Sequence, residues 1–249
     1  MRLFLMRHGS SEANETRSVT LHTPDHAVNL SDKGQLQART NGAKLARILS
    51  KNINGPGMAA PRVRIWNSPY WRTRQTRDGL LESLNKVGFV NSGDGHNQED
   101  PCYDCKESPL LVEQQFGLFD GYEDEELAER FPTEFASFKK NHLQEGRYYA
   151  RMPMGESRFD VSIRVHQFFG TILRDLETHG IEDVIVVSHG VTLRAFAMMW
   201  LHLTPEWFDA EPNPGNCSVR LIEGSRGRYA DRGYVVGGTV KTHSEVKGK

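Results

Sequence analysis

The run Asp183-Val184-Ile185-Val186-Val187 constrains this chain more than any other segment. Four β-branched residues in a row, with no polar residue to face water, fit a strand covered on both sides, and such strands belong to parallel sheets flanked by helices. The run ends in Ser188-His189-Gly190, ahead of an apolar helix expected over Val191 to Trp200. The chain opens in the same way: Leu3-Phe4-Leu5-Met6 ends in Arg7-His8-Gly9. Open α/β sheets build their sites at the carboxyl ends of their strands. If these two strands are neighbours, His8 and His189 face each other across that rim, and the first turn of the Val191 helix aims its amides at the same place. A guanidinium beside an imidazole there can hold a phosphoryl group next to a nucleophile.

A third segment points the same way. Ser68-Pro69-Tyr70-Trp71-Arg72-Thr73-Arg74-Gln75-Thr76 follows a strand expected over Arg62 to Asn67. Ser68 reads as a helix N-cap and Pro69 as a first-turn proline, so Arg72 and Thr76 share a helix face. A cation in the first turn opposes the helix dipole, and Arg72 therefore calls for an anion nearby. Arg74 and Arg77 read as a solvated face.

These segments, LFLMRHGSSEAN (3 to 14), SPYWRTRQT (68 to 76) and VIVVSHG (184 to 190), together with EQQFG (113 to 117) and PMGES (153 to 157), resemble the histidine phosphatase superfamily in order and spacing. The resemblance covers about residues 1 to 223, and it is finer with the broad-range acid phosphatases and phosphoglycerate mutase-like proteins. It implies an α/β fold: a three-layer sandwich with a mostly parallel central sheet flanked by helices, plus a helical cap. It implies His8 as a nucleophile that becomes phosphorylated, its tautomer fixed by a backbone carbonyl, and Glu113 as the proton donor. Arg7, Asn14, Arg72 and a protonated His189 would hold the phosphoryl oxygens, with Glu156 and Ser157 supporting the site. Mutases of the family usually carry Glu-Ser-x-Trp-Asn after Arg-His-Gly, where this chain has Ser10-Ser11-Glu12-Ala13-Asn14. The expected activity is thus hydrolysis of phosphomonoesters. A phosphoglycerate mutase and a scaffold that binds a phosphorylated ligand are the alternatives.

Composition narrows the partners. With 31 basic and 32 acidic residues the net charge is −1, which marks neither a nucleic-acid nor a polybasic membrane binder. The mean hydropathy of −0.57, with no long apolar stretch, excludes a spanning helix, and the N-terminal apolar run is too short for a signal peptide. The expectation is a cytoplasmic enzyme acting on a small phosphorylated substrate without metal or cofactor, its oligomeric state left open. At 249 residues the chain suits one domain over 1–236 with a cap insertion at about 88–158 and a disordered tail over 237–249. Val87 to Ser108 reads as a polar loop. It carries Cys102 and Cys105 at C-x-x-C spacing, with His96 nearby, but no second ligand pair accompanies them. Trp71, Phe116, Phe119, Tyr122 and the residues near Tyr148 are candidates for an apolar cap wall.

Overall fold

Alternation with period two decides which side chains of the central strands enter which half of the core. In β1 (Arg2–Arg7), Leu3 and Leu5 join one cluster of buried residues while Phe4 and Met6 join the other. In β5 (Asp183–Ser188), Val184 and Val186 divide from Ile185 and Val187 in the same way. The computed structural model describes residues 1–51, 61–92, 100–225 and 227–239.

The described strands form one seven-stranded sheet in the order β3-β4-β2-β5-β1-β6-β7, with β2 over Arg62–Asn67, β3 over Val90–Asn91, β4 over Cys102–Glu107, β6 over Val219–Ser225 and β7 over Arg228–Val236. The pairs β1 with β5, β5 with β2, β2 with β4 and β4 with β3 are parallel; β1 with β6 and β6 with β7 are antiparallel. After the single turn α1 (Glu12–Glu15) come α2 (Asp32–Ser50) and α3 (Trp71–Lys86), which cover one face through residues such as Leu45, Leu49, Leu80 and Leu84. The short helices α4 (Asp124–Arg130) and α5 (Pro132–Glu145) lie in the cap. The other face is covered by α6 (Arg158–His179) and α7 (Gly190–Trp200) through Val161, Val165, Phe168, Leu193 and Phe196; α8 (Pro205–Ala210) follows. The fold is the expected α/β sandwich. None of the described helices is long and apolar enough to cross a membrane.

Three expected boundaries move. The polar loop expected over Val87 to Ser108 contains β3 and β4, which extend the sheet beyond β2, so this part of the expected 88–158 insertion belongs to the sheet. Only Cys102 and Tyr103 of β4 are fully buried, which is why its sequence carries no apolar signal; residues 93–99, including His96, lie outside the described residues. Ser68 and Pro69 precede α3 in a bend, and Tyr70 is its N-cap, leaving Arg72 in the first turn as expected. Gly237 to Thr239, expected to open the tail, still pair with the body: the Gly215 amide donates to the Gly238 carbonyl at 2.7 Å and Thr239 bridges Pro214. The rest of the expected tail, 240–249, lies outside the described residues.

Candidate active site

β1 and β5 run side by side in register, Arg7 opposite Ser188, so both His-Gly turns leave the same edge of the sheet. The rings of His8 and His189 lie 5.2 Å apart, centroid to centroid. Backbone contacts hold the first turn on every side. The His8 amide donates to Ser188 O at 3.0 Å, the Gly9 amide to Thr76 Oγ1 at 3.0 Å and the Ser10 amide to Gln37 Oε1 at 2.8 Å. Gly9 and Gly34 are glycine because the start of α2 crosses this turn at backbone distance: a Cβ on Gly34 would run into the Ser10 carbonyl, and one on Gly9 into the Gly34 carbonyl.

His8 is buried, and its Nδ1 lies 2.7 Å from the Gly9 carbonyl oxygen. A carbonyl only accepts, so Nδ1 carries the hydrogen and Nε2 keeps the lone pair. Burial first, then the fields of Arg72 and Arg7, push the imidazole well below its ordinary pKa. The same holds for His189, where burial leads and Arg72 and His8 follow. At His189 these causes favour the neutral imidazole and oppose the protonated form expected. Its Nε2 shares a hydrogen bond with Ser68 Oγ at 2.9 Å, while its buried Nδ1 has no partner.

His8, Arg7, Asn14, Arg72 and Glu113 line one cavity of about 650 Å³. Arg7 donates through Nη1 to the Pro214 carbonyl at 2.7 Å, and its buried Nε has no partner. Asn14 Oδ1 accepts from the Ser11 amide at 3.2 Å and from Asn216 Nδ2 at 3.0 Å, an assignment that leaves its own amide NH₂ as the uncommitted end. Arg72 points its fork at Asp25: Nη1 donates to Oδ1 at 2.8 Å and Nη2 to Oδ2 at 3.1 Å. The anion that a first-turn arginine calls for is therefore a carboxylate of the chain itself, on a 3-10 turn over Asp25–Ala27 that sequence reasoning did not connect to the site.

Glu113 sits across the amino end of α7. Its carboxylate accepts from the Gln114 amide at 3.0 Å, the Val191 and Thr192 amides at 3.4 and 3.3 Å, and the Thr192 hydroxyl at 3.2 Å. The amides expected to face a phosphate are held by Glu113. Arg164 donates to the backbone oxygens of Leu110 and Glu113, at 2.9 and 3.1 Å, and pairs with Glu156 at 2.9 Å; Glu156 in turn accepts from the Gln115 amide at 3.0 Å. Arg164 was missed, since a lone arginine on an amphipathic helix carries no motif. Ser157 caps α6, accepting from the Asp160 amide, and lies outside the cavity wall.

Of the apolar wall candidates, Phe116 lines this cavity. Trp71 is half exposed beneath the Arg74 guanidinium, Tyr122 packs edge-on to Phe131, and Tyr148 is buried with its hydroxyl on Ser162. Cys102 and Cys105 are free thiols three positions apart on β4, hence on opposite faces of the sheet, which separates them as joint ligands. Among the described residues no cluster of three or more histidine, cysteine or acidic side chains is arranged to hold a metal.

Residues 3–234 match the histidine phosphatase superfamily (branch 1), and the chain belongs to it. Among curated relatives it is 33% identical to the phosphoglycerate mutase-like protein AT74 of Arabidopsis thaliana over 92% of this chain and 67% of that one. It is 26% identical to the broad-range acid phosphatase DET1 of Saccharomyces cerevisiae, over 89% and 84%. A mycobacterial glucosyl-3-phosphoglycerate phosphatase shares the fold with a TM-score of 0.65 at 19% identity, over 96% of this chain and 99% of that one.

Proposed function

We propose that the chain hydrolyses phosphomonoesters through a phosphohistidine on His8. The observation that carries the reading is the His8 imidazole itself: buried, its hydrogen fixed on Nδ1 by Gly9, and Nε2 left with a lone pair in a cavity that also holds two arginines and a carboxyl group. The lone pair of Nε2 attacks phosphorus, and the bond to the ester oxygen breaks as Glu113 gives that oxygen a proton. Water then attacks the phosphohistidine, Glu113 takes its proton, and inorganic phosphate leaves with Nε2 neutral again. Arg7 and Arg72 supply fixed positive charge for the loose transition state, the role a metal ion plays in other phosphoryl-transfer sites. In this reading the phosphate displaces Asp25 from Arg72. Asn14 adds a donor, and His189 Nδ1 becomes one as the dianion draws a proton onto the ring.

The rest of the cavity favours a phosphatase over a mutase. Beyond Arg7, His8, Arg72 and Glu113 its charged walls are Glu15, Asp25, Asp120 and Glu123 with Arg17, and Arg17 is already paired with Glu123 at 3.0 Å. The Asp120 carboxyl is itself pushed upward, by burial and then by Asp25. A second phosphate or a carboxylate on the substrate meets these acids, whereas a neutral leaving group meets hydrogen-bond acceptors. A panel of phosphomonoesters, with free phosphate and 3-phosphoglycerate isomerisation both followed, tests the reading. Neutral-tailed esters are expected to turn over well ahead of phosphoglycerates, with no isomerisation; isomerisation faster than hydrolysis overturns it, and no turnover of any ester leaves the scaffold reading in its place.

A further inference from the structure

The cap holds a second, half-open cavity of about 550 Å³, within the size range of small-molecule sites. Its apolar wall is Phe116, Phe119, Leu127, Phe135 and Phe138, with Phe119 edge-on to Phe135 and Phe138 at 5.9 and 5.5 Å. Its polar wall sets Arg17, Lys139, Arg147 and Arg158 against one acid, Asp124. Lys139 and Arg158 reach carboxylates, Asp124 at 2.8 Å and Asp209 at 2.7 Å, but Arg147 has no hydrogen-bond or ion-pair partner among the described residues. The crowding is felt by its neighbours: burial and then Arg147 press the His142 imidazole below its ordinary value, and the same two causes bring Arg158 down to about 10. An anion on Arg147 would balance this set, and aromatic walls favour a ring edge-on or offset against them.

We propose that this cavity is a second binding site, for a small molecule that joins a flat aromatic ring to an anionic group, the ring against the phenylalanines and the anion on Arg147. Arg17 and Phe116 wall both this cavity and the catalytic one, so the occupant sits beside the phosphoryl site without touching His8, Arg7 or Arg72. The acids that line the catalytic cavity repel such a ligand, and the cap cavity is where its charge is balanced. The inference does not rest on the phosphatase reading.

Calorimetric titration of the full chain tests it, with naphthalene-2-sulfonate as probe and the neutral naphthalene-2-sulfonamide as its counterpart. One equivalent of sulfonate is expected to bind about tenfold more tightly than the sulfonamide, the size of one charge-assisted hydrogen bond. Arg147→Gln, at an exposed position where the fold does not depend on the side chain, is expected to erase that preference. Saturating vanadate, which fills the phosphoryl site, is expected to leave it intact. Equal affinity for the two probes, absence of saturable sulfonate binding, an unchanged preference in Arg147→Gln, or displacement by vanadate each overturns the proposal.

Discussion

Arg72 has two claimants, the Asp25 carboxylate it holds in this structure and the phosphoryl group it would grip in turnover. Their competition makes opposite predictions for two substitutions. Arg72→Lys keeps the charge and loses the planar fork, so the inhibition constant for inorganic phosphate is expected to rise about tenfold. Asp25→Asn removes the charged competitor, and the same constant is expected to fall severalfold. If both variants bind phosphate as the parent does, Arg72 serves the Asp25 turn and not the substrate. Glu113 is separable by leaving-group chemistry. Glu113→Gln keeps an oxygen for the α7 amides and loses the proton, so phosphorylation by an alkyl phosphate is expected to slow by about a hundredfold or more. With p-nitrophenyl phosphate, whose leaving group departs unprotonated, a burst of nitrophenol followed by slow turnover is expected. Equal slowing of the burst for both esters assigns proton donation elsewhere. At this scale the sequence was legible where residues follow strand ends: Arg7, His8, Asn14, Arg72 and Glu113 line one cavity, and the His189 ring lies tilted beside that of His8. It was silent about Asp25 and Arg164 and read Ser68 as a helix cap rather than as the partner of His189; all three reach the site by side-chain bonds of long sequence separation. It did not foresee the burial of His189, a property of the packed sheet that opposes the protonated form.

The elements hold the site by close approach. The start of α2 passes the catalytic turn so tightly that neither Gly9 nor Gly34 has room for a methyl group against the opposing carbonyl. Gly34→Ala is expected to cost about 1–3 kcal/mol of stability and to reduce turnover further than that loss explains, because Ser10, and with it the turn from His8, must shift. Denaturant melts beside turnover numbers check this; unchanged turnover contradicts it. The strands β1 and β5 and the helix α7 were readable because their apolar residues fall in uninterrupted runs, as those of elements covered on both sides do. Strand β4 was not, since Cys-Tyr-Asp-Cys-Lys-Glu owes its conformation to the open edge of β2. Pro69 misplaced the start of α3 by two residues, an error of boundary that left Arg72 in the first turn.

The whole molecule carries two neutral histidines in its core beside two arginines, and its stability should report them. Unfolded, both titrate near pH 6.5; folded, both titrate well below it. Between those values the unfolded chain binds more protons, so stability is complete above about pH 6.5 and falls as pH drops through it. Urea midpoints between pH 5 and 7.5 are expected to decline on the acid side, with a steeper slope than in His189→Gln; a flat profile contradicts the buried neutral pair. The same depression keeps His8 unprotonated in mild acid, so the acid limb of kcat/KM is expected below pH 6.5. Activity is also expected to survive EDTA, since the positive charge at the site comes from side chains. The most direct test of the account is the covalent step. Quenching a turning-over sample in alkali and mapping the peptides by mass spectrometry is predicted to find one phosphoryl group on the peptide of His8. It should be stable to alkali, labile to acid, and absent from His8→Ala, which should not turn over. A phosphoryl group on another residue, or near-parental turnover by His8→Ala, would contradict the account.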